Sequence, residues 1–126
     1  MAEFGAVLYV KDVDRLTAFY ARVAGVTISE TESGWSRLRG PGFELVVHGI
    51  PPDIGRHIVI ATPPAVREET PVKIIFPVAD LAAARVLAAE LGGALNAPDR
   101  EWRFGESVVC DGHAPEGNVF QLRVHV

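Results

Sequence analysis

The chain has 126 residues, of which 48% are hydrophobic and 22% are charged, with a formal net charge of −4. This composition excludes a disordered chain and suits one compact domain, or two small modules that share a core. No cluster of Lys or Arg offers the phosphate contacts that nucleic acid needs, and no apolar run is long enough to span a membrane. The single Cys110 excludes an internal disulfide. We therefore expect a soluble, cytoplasmic protein with no nucleic-acid or membrane partner.

The first half of the chain is predicted to fold as β-α-β-β-β. Gly5–Val10 is a short apolar run, which is typical of a strand buried on both faces. Asp12 is a good N-cap, and the apolar residues that follow it recur at helical spacing up to Gly25, which is placed to end the helix. Turn residues divide the next stretch into three predicted strands, Val26–Glu30, Trp35–Arg39 and Phe43–His48.

A segment with the composition of a linker, Gly49–Thr70, separates the two halves and contains four prolines. Within it, the β-prone run His57–Ala61 is predicted to form an extra short strand. We therefore expect one domain in which module one covers about residues 1–50, the linker about 51–70 and module two about 71–126.

The pattern of the first module restarts at Val72. Val72–Val78 is predicted to be a strand, Asp80 a second N-cap and Leu81–Leu91 a second helix. The predicted strands after this helix are Ala94–Ala97, Glu101–Phe104, Glu106–Cys110 and Val119–Val126.

The two halves are related as an internal repeat. Asp12 and Gly25 are separated by the same number of residues as Asp80 and Gly93, so a complete β-α unit occurs twice. Repetition over a whole supersecondary unit indicates tandem βαβββ modules, of which the second is slightly longer.

This tandem repeat, together with the turn Pro115-Glu116-Gly117-Asn118 and the strand that follows it, resembles the vicinal oxygen chelate superfamily. That superfamily includes glyoxalase I, extradiol dioxygenases, fosfomycin-resistance enzymes and bleomycin-resistance proteins. The resemblance covers nearly the whole chain. It implies an α+β fold in which tandem βαβββ modules form a cupped, barrel-like mixed sheet with the helices outside, and in which the cup holds a metal or a ligand. It also implies a homodimer, because family members commonly dimerise.

The resemblance further implies which residues occupy the four positions of the family's metal ligands, namely Gly5, Glu44, Lys73 and Gln121. A divalent ion prefers imidazole nitrogen or carboxylate oxygen. Gly5 has no side chain, Lys73 is a cation and Gln121 is at best a neutral oxygen donor, so one carboxylate remains. We predict that the metal site is lost and that no cofactor is required, with a divalent metal as the alternative.

Glu44 and Lys73 are predicted to face the same cup and to pair there, which makes them the candidate catalytic residues. Strand alternation places further side chains on the inner faces, and two tryptophans are expected at the rim. The candidate ligand-binding residues are Val7, Tyr9, Trp35, Val46, His48, Ile75, Trp102, Gln121, Arg123 and His125. Such a mixed lining favours a planar or anionic organic ligand over a bare metal ion.

Each candidate also has a simpler interpretation. Glu44 and Lys73 can form a purely structural ion pair, and either His48 or His125 can be solvated at the end of its strand. Cys110 is expected to be a small buried strand residue and His113 to be exposed.

Three functions remain open from the sequence. The leading hypothesis is a small-molecule binding protein of the bleomycin-resistance type, which holds a hydrophobic or aromatic compound without a metal. The second is a lyase, isomerase or dioxygenase of the same superfamily, either metal-free or with atypical metal ligands. The third is a structural or regulatory dimer whose cup is vestigial.

Overall fold

The structure, a computed structural model, describes residues 4–126. The chain divides into two compact units, of which the first ends at Ile60 and the second comprises Ala61–Val126. Each unit consists of a mixed sheet with one long helix, so the predicted α+β fold of repeated modules is confirmed. None of the helices in residues 4–126 is long and apolar enough to cross a membrane.

The first unit repeats the predicted order of a strand, a helix and three strands. Its elements are β1 (Phe4–Val10), α1 (Val13–Val23), β2 (Thr27–Glu32), β3 (Trp35–Gly40) and β4 (Phe43–Gly49). The sheet order is β1-β4-β3-β2, with β1 parallel to β4 and the other neighbours antiparallel. The predicted helix ends are confirmed: the Asp12 side chain accepts a hydrogen bond from the Arg15 N–H, and Gly25 follows the C-cap with a φ of +71°.

Helix α1 covers one face of this sheet. Leu16, Phe19 and Tyr20 of the helix are buried together with Leu38 and Leu45 of the strands, and their burial forms the core of the unit.

The prediction that β1 is buried on both faces is wrong. Val10 is fully buried, but Val7 and Tyr9 are 52% and 59% exposed. The reason is that β1 is an edge strand and α1 covers only the opposite face of the sheet, so an apolar run alone did not indicate two covered faces.

The predicted strand His57–Ala61 is also wrong. The chain instead forms a short helix, α2 (Pro52–Gly55), and a turn in which the His57 N–H donates to the Ile54 carbonyl oxygen. Pro52 stands at the first helical position, where a proline has no N–H to lose and its fixed φ favours a helix start.

The second unit repeats this architecture with an interrupted edge. Its elements are β5 (Ile74–Pro77), α3 (Leu81–Glu90), β6 (Ala94–Leu95), a 3₁₀ turn (Pro98–Arg100), β7 (Trp102–Phe104), β8 (Ser107–His113) and β9 (Val119–His125). The sheet order is β5-β9-β8-β6, β7 also pairs with β8, and β5 is parallel to β9. Asp80 caps α3, as predicted, by accepting a hydrogen bond from the Ala83 N–H.

Several strand boundaries of the second unit differ from the prediction. The strand expected at Ala94–Ala97 has two residues, because Pro98 begins the 3₁₀ turn, and β8 extends to His113. The strand expected from Val72 begins at Ile74, which leaves Lys73 just outside it. Strands β6 and β7 both pair with β8 and together take the place that β2 has beside β3, so the interruption accounts for much of the extra length of the second module.

The linker residues next to the second module are fastened to its C-terminal turn. The Arg67 N–H donates to the Gly117 carbonyl oxygen over 2.9 Å. Gly117 has a φ of +91°, and a Cβ at this position would lie 2.1 Å from the Ala65 carbonyl oxygen. Only glycine fits this turn, because the backbone of the linker passes directly against it.

Candidate functional site

Five of the predicted ligand-binding residues lie on one face of the first sheet. Val7 pairs with Val46 and Tyr9 with His48 across β1 and β4, while Trp35 pairs with His48 across β3 and β4. Directly paired residues project from the same side of a sheet. These five side chains, which we call the unit-one surface, therefore lie together, with the Tyr9 and His48 rings 5.5 Å apart.

Glu44 lies next to the unit-one surface and is held by Arg37. Arg37 Nε lies 2.5 Å from Glu44 Oε1, and Arg37 Nη1 lies 2.8 Å from Glu30 Oε1. The Nε–H is buried and not aligned for a hydrogen bond, so its contact with Glu44 is an ion pair. The Arg37 guanidinium also lies 5.7 Å from the centre of the Trp35 ring, within range of a cation–π interaction. One cation thus joins two carboxylates to an aromatic ring.

Sequence reasoning missed Arg37. Arg37 pairs with Val46 across β3 and β4, and the same alternation that placed Val46 on this face also places Arg37 there. Strand alternation therefore predicts the position of Arg37 once the pairing register of β3 and β4 is known.

His48 is oriented by the backbone that follows it. Its Nδ1 lies 2.8 Å from the Gly49 carbonyl oxygen. Because a carbonyl oxygen only accepts, Nδ1 carries the proton in this contact, and Nε2 of the neutral ring is left as an acceptor. His48 can therefore act chemically as a base through Nε2.

The corresponding face of the second unit carries a chain of polar contacts. Lys73 Nζ donates to Asp111 Oδ2 over 2.7 Å, and Gln121 Nε2 donates to Asp111 Oδ1 over 3.1 Å. Arg123 Nε donates in turn to Gln121 Oε1 over 2.8 Å, and the Arg123 guanidinium lies 5.0 Å from the centre of the Phe104 ring. We call Lys73, Asp111, Gln121 and Arg123 the unit-two network.

The Glu44 and Lys73 side chains, which were predicted to pair with each other, each have a partner within their own unit. Arg37 holds Glu44, and Asp111 holds Lys73. Asp111 was not among the predicted site residues, although its pairing with Gln121 across β8 and β9 places it on the same face.

The remaining candidate residues of the second unit lie on the same face of its sheet as the unit-two network, but their exposure to solvent differs. Ile75 pairs with Gln121, and Trp102 and Arg123 both pair with Val109. Trp102 is 40% exposed. It lies on the edge strand β7 and not on β8, which is the strand of this unit that corresponds to β3. His125 is exposed at the end of β9.

His113 was predicted to be exposed, and this is wrong. It is half-buried at the end of β8, with its Nδ1 3.2 Å from the Ala114 carbonyl oxygen. Strand β8 extends further than predicted, and His113 is its last residue.

The residues at the four family ligand positions do not fit a divalent ion. A Cβ at Gly5 would lie 2.3 Å from the Glu44 carbonyl oxygen, so position 5 has no room for a ligating side chain. Glu44 is neutralised by Arg37, Lys73 brings a positive charge, and the Gln121 oxygen already accepts from Arg123. A dication requires converging anionic or neutral donors, and this set provides one engaged carboxylate.

Cys110 lies on the opposite, helix-covered face of β8, and its predicted burial is confirmed. Arg85 Nη2 lies 3.7 Å from its sulfur and 2.5 Å from Glu101 Oε2. Burial raises the pKa of the Cys110 thiol above its ordinary value, and this effect exceeds the opposing effect of the Arg85 charge. The thiol is therefore protonated near neutral pH and does not act as a nucleophile.

Comparison with known proteins gives a family match. A sequence model described as a glyoxalase-like domain matches residues 5–123. No curated protein sequence matches the chain.

Solved structures share the fold at low sequence identity. A glyoxalase/bleomycin resistance protein/dioxygenase family enzyme from Burkholderia phytofirmans is 14% identical, with a TM-score of 0.69 and 97% of each chain covered. A mutant of the fosfomycin resistance protein FosX from Listeria monocytogenes, complexed with Mn(II) and a dihydroxypropylphosphonic acid, is 15% identical, with a TM-score of 0.67 and coverage of 100% of this chain and 90% of that one. TnmS3, an antibiotic binding protein from a Streptomyces species, is 19% identical, with a TM-score of 0.64 and coverage of 100% and 97%.

Proposed function

We propose a function for this chain, which belongs to the family of glyoxalase-like domains. The proposal is that the protein binds a small hydrophobic or aromatic molecule on the unit-one surface, without a metal ion. One structural neighbour, TnmS3, is an antibiotic binding protein, which is consistent with a binding role for this fold.

The observation that carries this proposal is the set of partners at the family's ligand positions. Glu44 is paired with Arg37, while Lys73 and Gln121 both contact Asp111. Recruiting Glu44 to a metal would require breaking its ion pair and leaving the partly buried Arg37 without that carboxylate. These contacts favour recognition of an organic ligand by groups that are already fixed in place.

The chemistry of the unit-one surface supports the ligand class. Val7 and Tyr9 expose more than half of their surface, and Trp35 is half-buried beside them. Exposed aromatic and aliphatic groups on a rigid sheet favour stacking on a planar apolar ligand. The His48 imidazole adds a polar group that can orient such a ligand.

The experiment has two arms. Elemental analysis of protein purified without chelator or affinity tag, together with melting scans with Zn, Ni, Mn and Fe(II), is expected to give no stoichiometric metal and no shift. Melting scans with a library of aromatic and antibiotic compounds are expected to give stabilisation, since a ligand at 100 times its Kd adds about 2.7 kcal/mol. About one metal per chain with a raised Tm would overturn the metal-free proposal.

A matched pair of variants locates the ligand. Tyr9→Ala is expected to weaken binding of a library compound about tenfold or more, which corresponds to about 1.4 kcal/mol. Ile54→Ala removes a similarly exposed apolar side chain from α2 and is expected to leave binding unchanged. Equal effects of both variants would contradict the assignment of the unit-one surface.

A second candidate function is that of a metal-free lyase or isomerase, and one observation favours it. The contact of His48 Nδ1 with the Gly49 carbonyl leaves Nε2 as a base, beside Tyr9. Assays of lyase, isomerase and dioxygenase substrates with chelator-treated protein test this role. Turnover that is lost in His48→Gln and retained in His125→Gln would favour the enzyme over the binding protein.

A further inference from the structure

The second unit contains a cavity of about 230 Å³ that is lined by residues of this unit. Its lining includes Val66 and Glu68 of the linker, Arg100 of the 3₁₀ turn, His113 and Asp111 of β8, and Lys73. The linker residues of this lining flank Arg67, whose N–H donates to the Gly117 carbonyl oxygen of the C-terminal turn. We call this cavity the linker cavity.

The linker cavity is lined by two cationic and two anionic side chains, but only one cation and one anion form an ion pair with each other. Lys73 and Asp111 neutralise each other over 2.7 Å. The side chains of Arg100 and Glu68, in contrast, make no ion pair or hydrogen bond with any residue in the range 4–126. The cavity therefore offers one unpaired cation and one unpaired anion.

The remaining polar wall group is His113. Its Nδ1 is engaged by the Ala114 carbonyl, so Nε2 of the neutral ring is available to accept a hydrogen bond. Val66 contributes an apolar wall. The volume lies below the range of about 300–1,000 Å³ that is typical of sites for drug-sized ligands, which restricts the occupant to a small molecule.

From these groups we propose that the linker cavity binds a small zwitterion, an amino acid-like molecule that carries one carboxylate and one ammonium group. The carboxylate pairs with the Arg100 guanidinium and the ammonium pairs with the Glu68 carboxylate. A ligand with a single negative charge would meet the uncompensated Glu68, and one with a single positive charge would meet Arg100. Only a ligand with both charges satisfies both side chains.

This site is independent of the proposed function. It shares Lys73 and Asp111 with the unit-two network, but its recognising groups, Arg100 and Glu68, belong neither to that network nor to the unit-one surface. Either site can therefore exist without the other.

The test uses the ¹⁵N-labelled full chain and a length series of ω-amino acids from glycine to 6-aminohexanoate, with butanoate and butylamine as singly charged controls. We expect one or two members of the series to shift the backbone amide signals of Asn96, Arg100, Gly112 and His113. Butanoate and butylamine are expected to bind at least tenfold more weakly. No shift at concentrations that would saturate a site with a Kd of about 1 mM, or equal binding of butanoate, would overturn the proposal.

Charge-neutralising variants assign the two halves of the ligand. Arg100→Gln and Glu68→Gln are each expected to weaken binding of the best ω-amino acid at least tenfold. Arg22→Gln on α1 and Glu32→Gln on β2 remove the same charges elsewhere on the surface and are expected to have no effect. Tyr9→Ala is expected to leave zwitterion binding unchanged, so failure of this site and failure of the proposed function give different results. Retention of binding in both Arg100→Gln and Glu68→Gln would overturn the assignment.

Discussion

The ammonium group of Lys73 lies 2.7 Å from Asp111 Oδ2, and the other oxygen of the same carboxylate accepts a hydrogen bond from Gln121. The family resemblance places metal ligands at Lys73 and Gln121, and here both side chains converge on one carboxylate of β8. The positive charge of Lys73 is thus neutralised by a carboxylate of the protein.

The Lys73–Asp111 pair is expected to contribute little to stability. The two side chains are 39% and 28% exposed, and water screens an ion pair of this kind. A double-mutant cycle with Lys73→Met and Asp111→Asn should give a coupling energy below about 1 kcal/mol in urea unfolding. The Arg56–Asp53 pair, at 3.8 Å and far more exposed, serves as a reference and should show a coupling close to zero. A Lys73–Asp111 coupling of several kcal/mol would contradict this prediction.

Gly117→Ala is expected to destabilise the protein and to release the linker. The new Cβ would meet the Ala65 carbonyl oxygen at 2.1 Å, and the φ of +91° is unfavourable for any side chain. We expect a loss of about 2 kcal/mol or more in the free energy of unfolding, and faster hydrogen exchange of the Arg67 amide.

Gly105→Ala is the matched control for this variant. Gly105 also has a positive φ, of +59°, but a Cβ there meets nothing within 4 Å. It should therefore show only the conformational cost of about 1 kcal/mol. Equal losses for Gly105→Ala and Gly117→Ala would mean that the linker contact contributes nothing.

Gly5→His restores an imidazole at a family ligand position, yet it is expected not to create a metal site. Any Cβ at position 5 lies 2.3 Å from the Glu44 carbonyl oxygen, so the two paired strands must separate. Both Gly5→His and Gly5→Ala should lower the free energy of unfolding by about 1–3 kcal/mol, the usual cost of overpacking. Gly40→Ala, where a Cβ meets Val26 at an ordinary 3.5 Å, should cost much less. Zn binding by Gly5→His with an increased Tm would contradict this account.

Stability is expected to fall at alkaline pH through Cys110. Because burial raises the pKa of this thiol in the folded protein, the folded state holds the proton more tightly than the unfolded state. The resulting stability is complete below the ordinary thiol pKa of about 8.5–9 and is lost as the pH rises above it.

The measurement for Cys110 is urea unfolding between pH 7 and pH 10, with Cys110→Ala as the comparison. The variant should lack the part of the alkaline decline that comes from the thiol, and the native thiol should react slowly with a thiol reagent at pH 7. Identical pH profiles for the two proteins would refute the role of Cys110.

Thr17→Val is expected to leave the protein equally stable or to stabilise it. The Thr17 hydroxyl on α1 is buried and has no hydrogen-bond partner among residues 4–126. A buried unsatisfied hydroxyl costs about 1–3 kcal/mol, and valine replaces it with a methyl group of similar shape. Thr27→Val, at an exposed position on β2, controls for the effect of a threonine-to-valine substitution where the hydroxyl is not buried. A clear loss of stability in Thr17→Val alone would mean that the hydroxyl has a partner.

Local chemistry and repetition in the sequence were sufficient to predict the tandem βαβββ modules, and the family resemblance then gave the fold class. The caps at Asp12 and Asp80 and the helix end at Gly25 depend on contacts within a few residues, so they can be inferred without knowing the fold. The equal spacing of these landmarks in the two halves revealed the tandem modules. Strand alternation likewise placed Val46 and His48 on one face of the sheet.

The folding of the whole chain determines which partner each charged side chain has and which faces of the sheets are covered. Arg37 holds Glu44 because the antiparallel register of β3 and β4 brings the two side chains together. Asp111 of β8 holds Lys73, which precedes β5, although β9 lies between these two strands in the sheet order. The exposure of Tyr9 depends on which side of the sheet α1 covers, a property of packing and not of the apolar run itself. Pairing energies between strands are non-local. Most helices and strands could therefore be predicted from local sequence, whereas the charged pairs and the linker cavity depend on the folded chain.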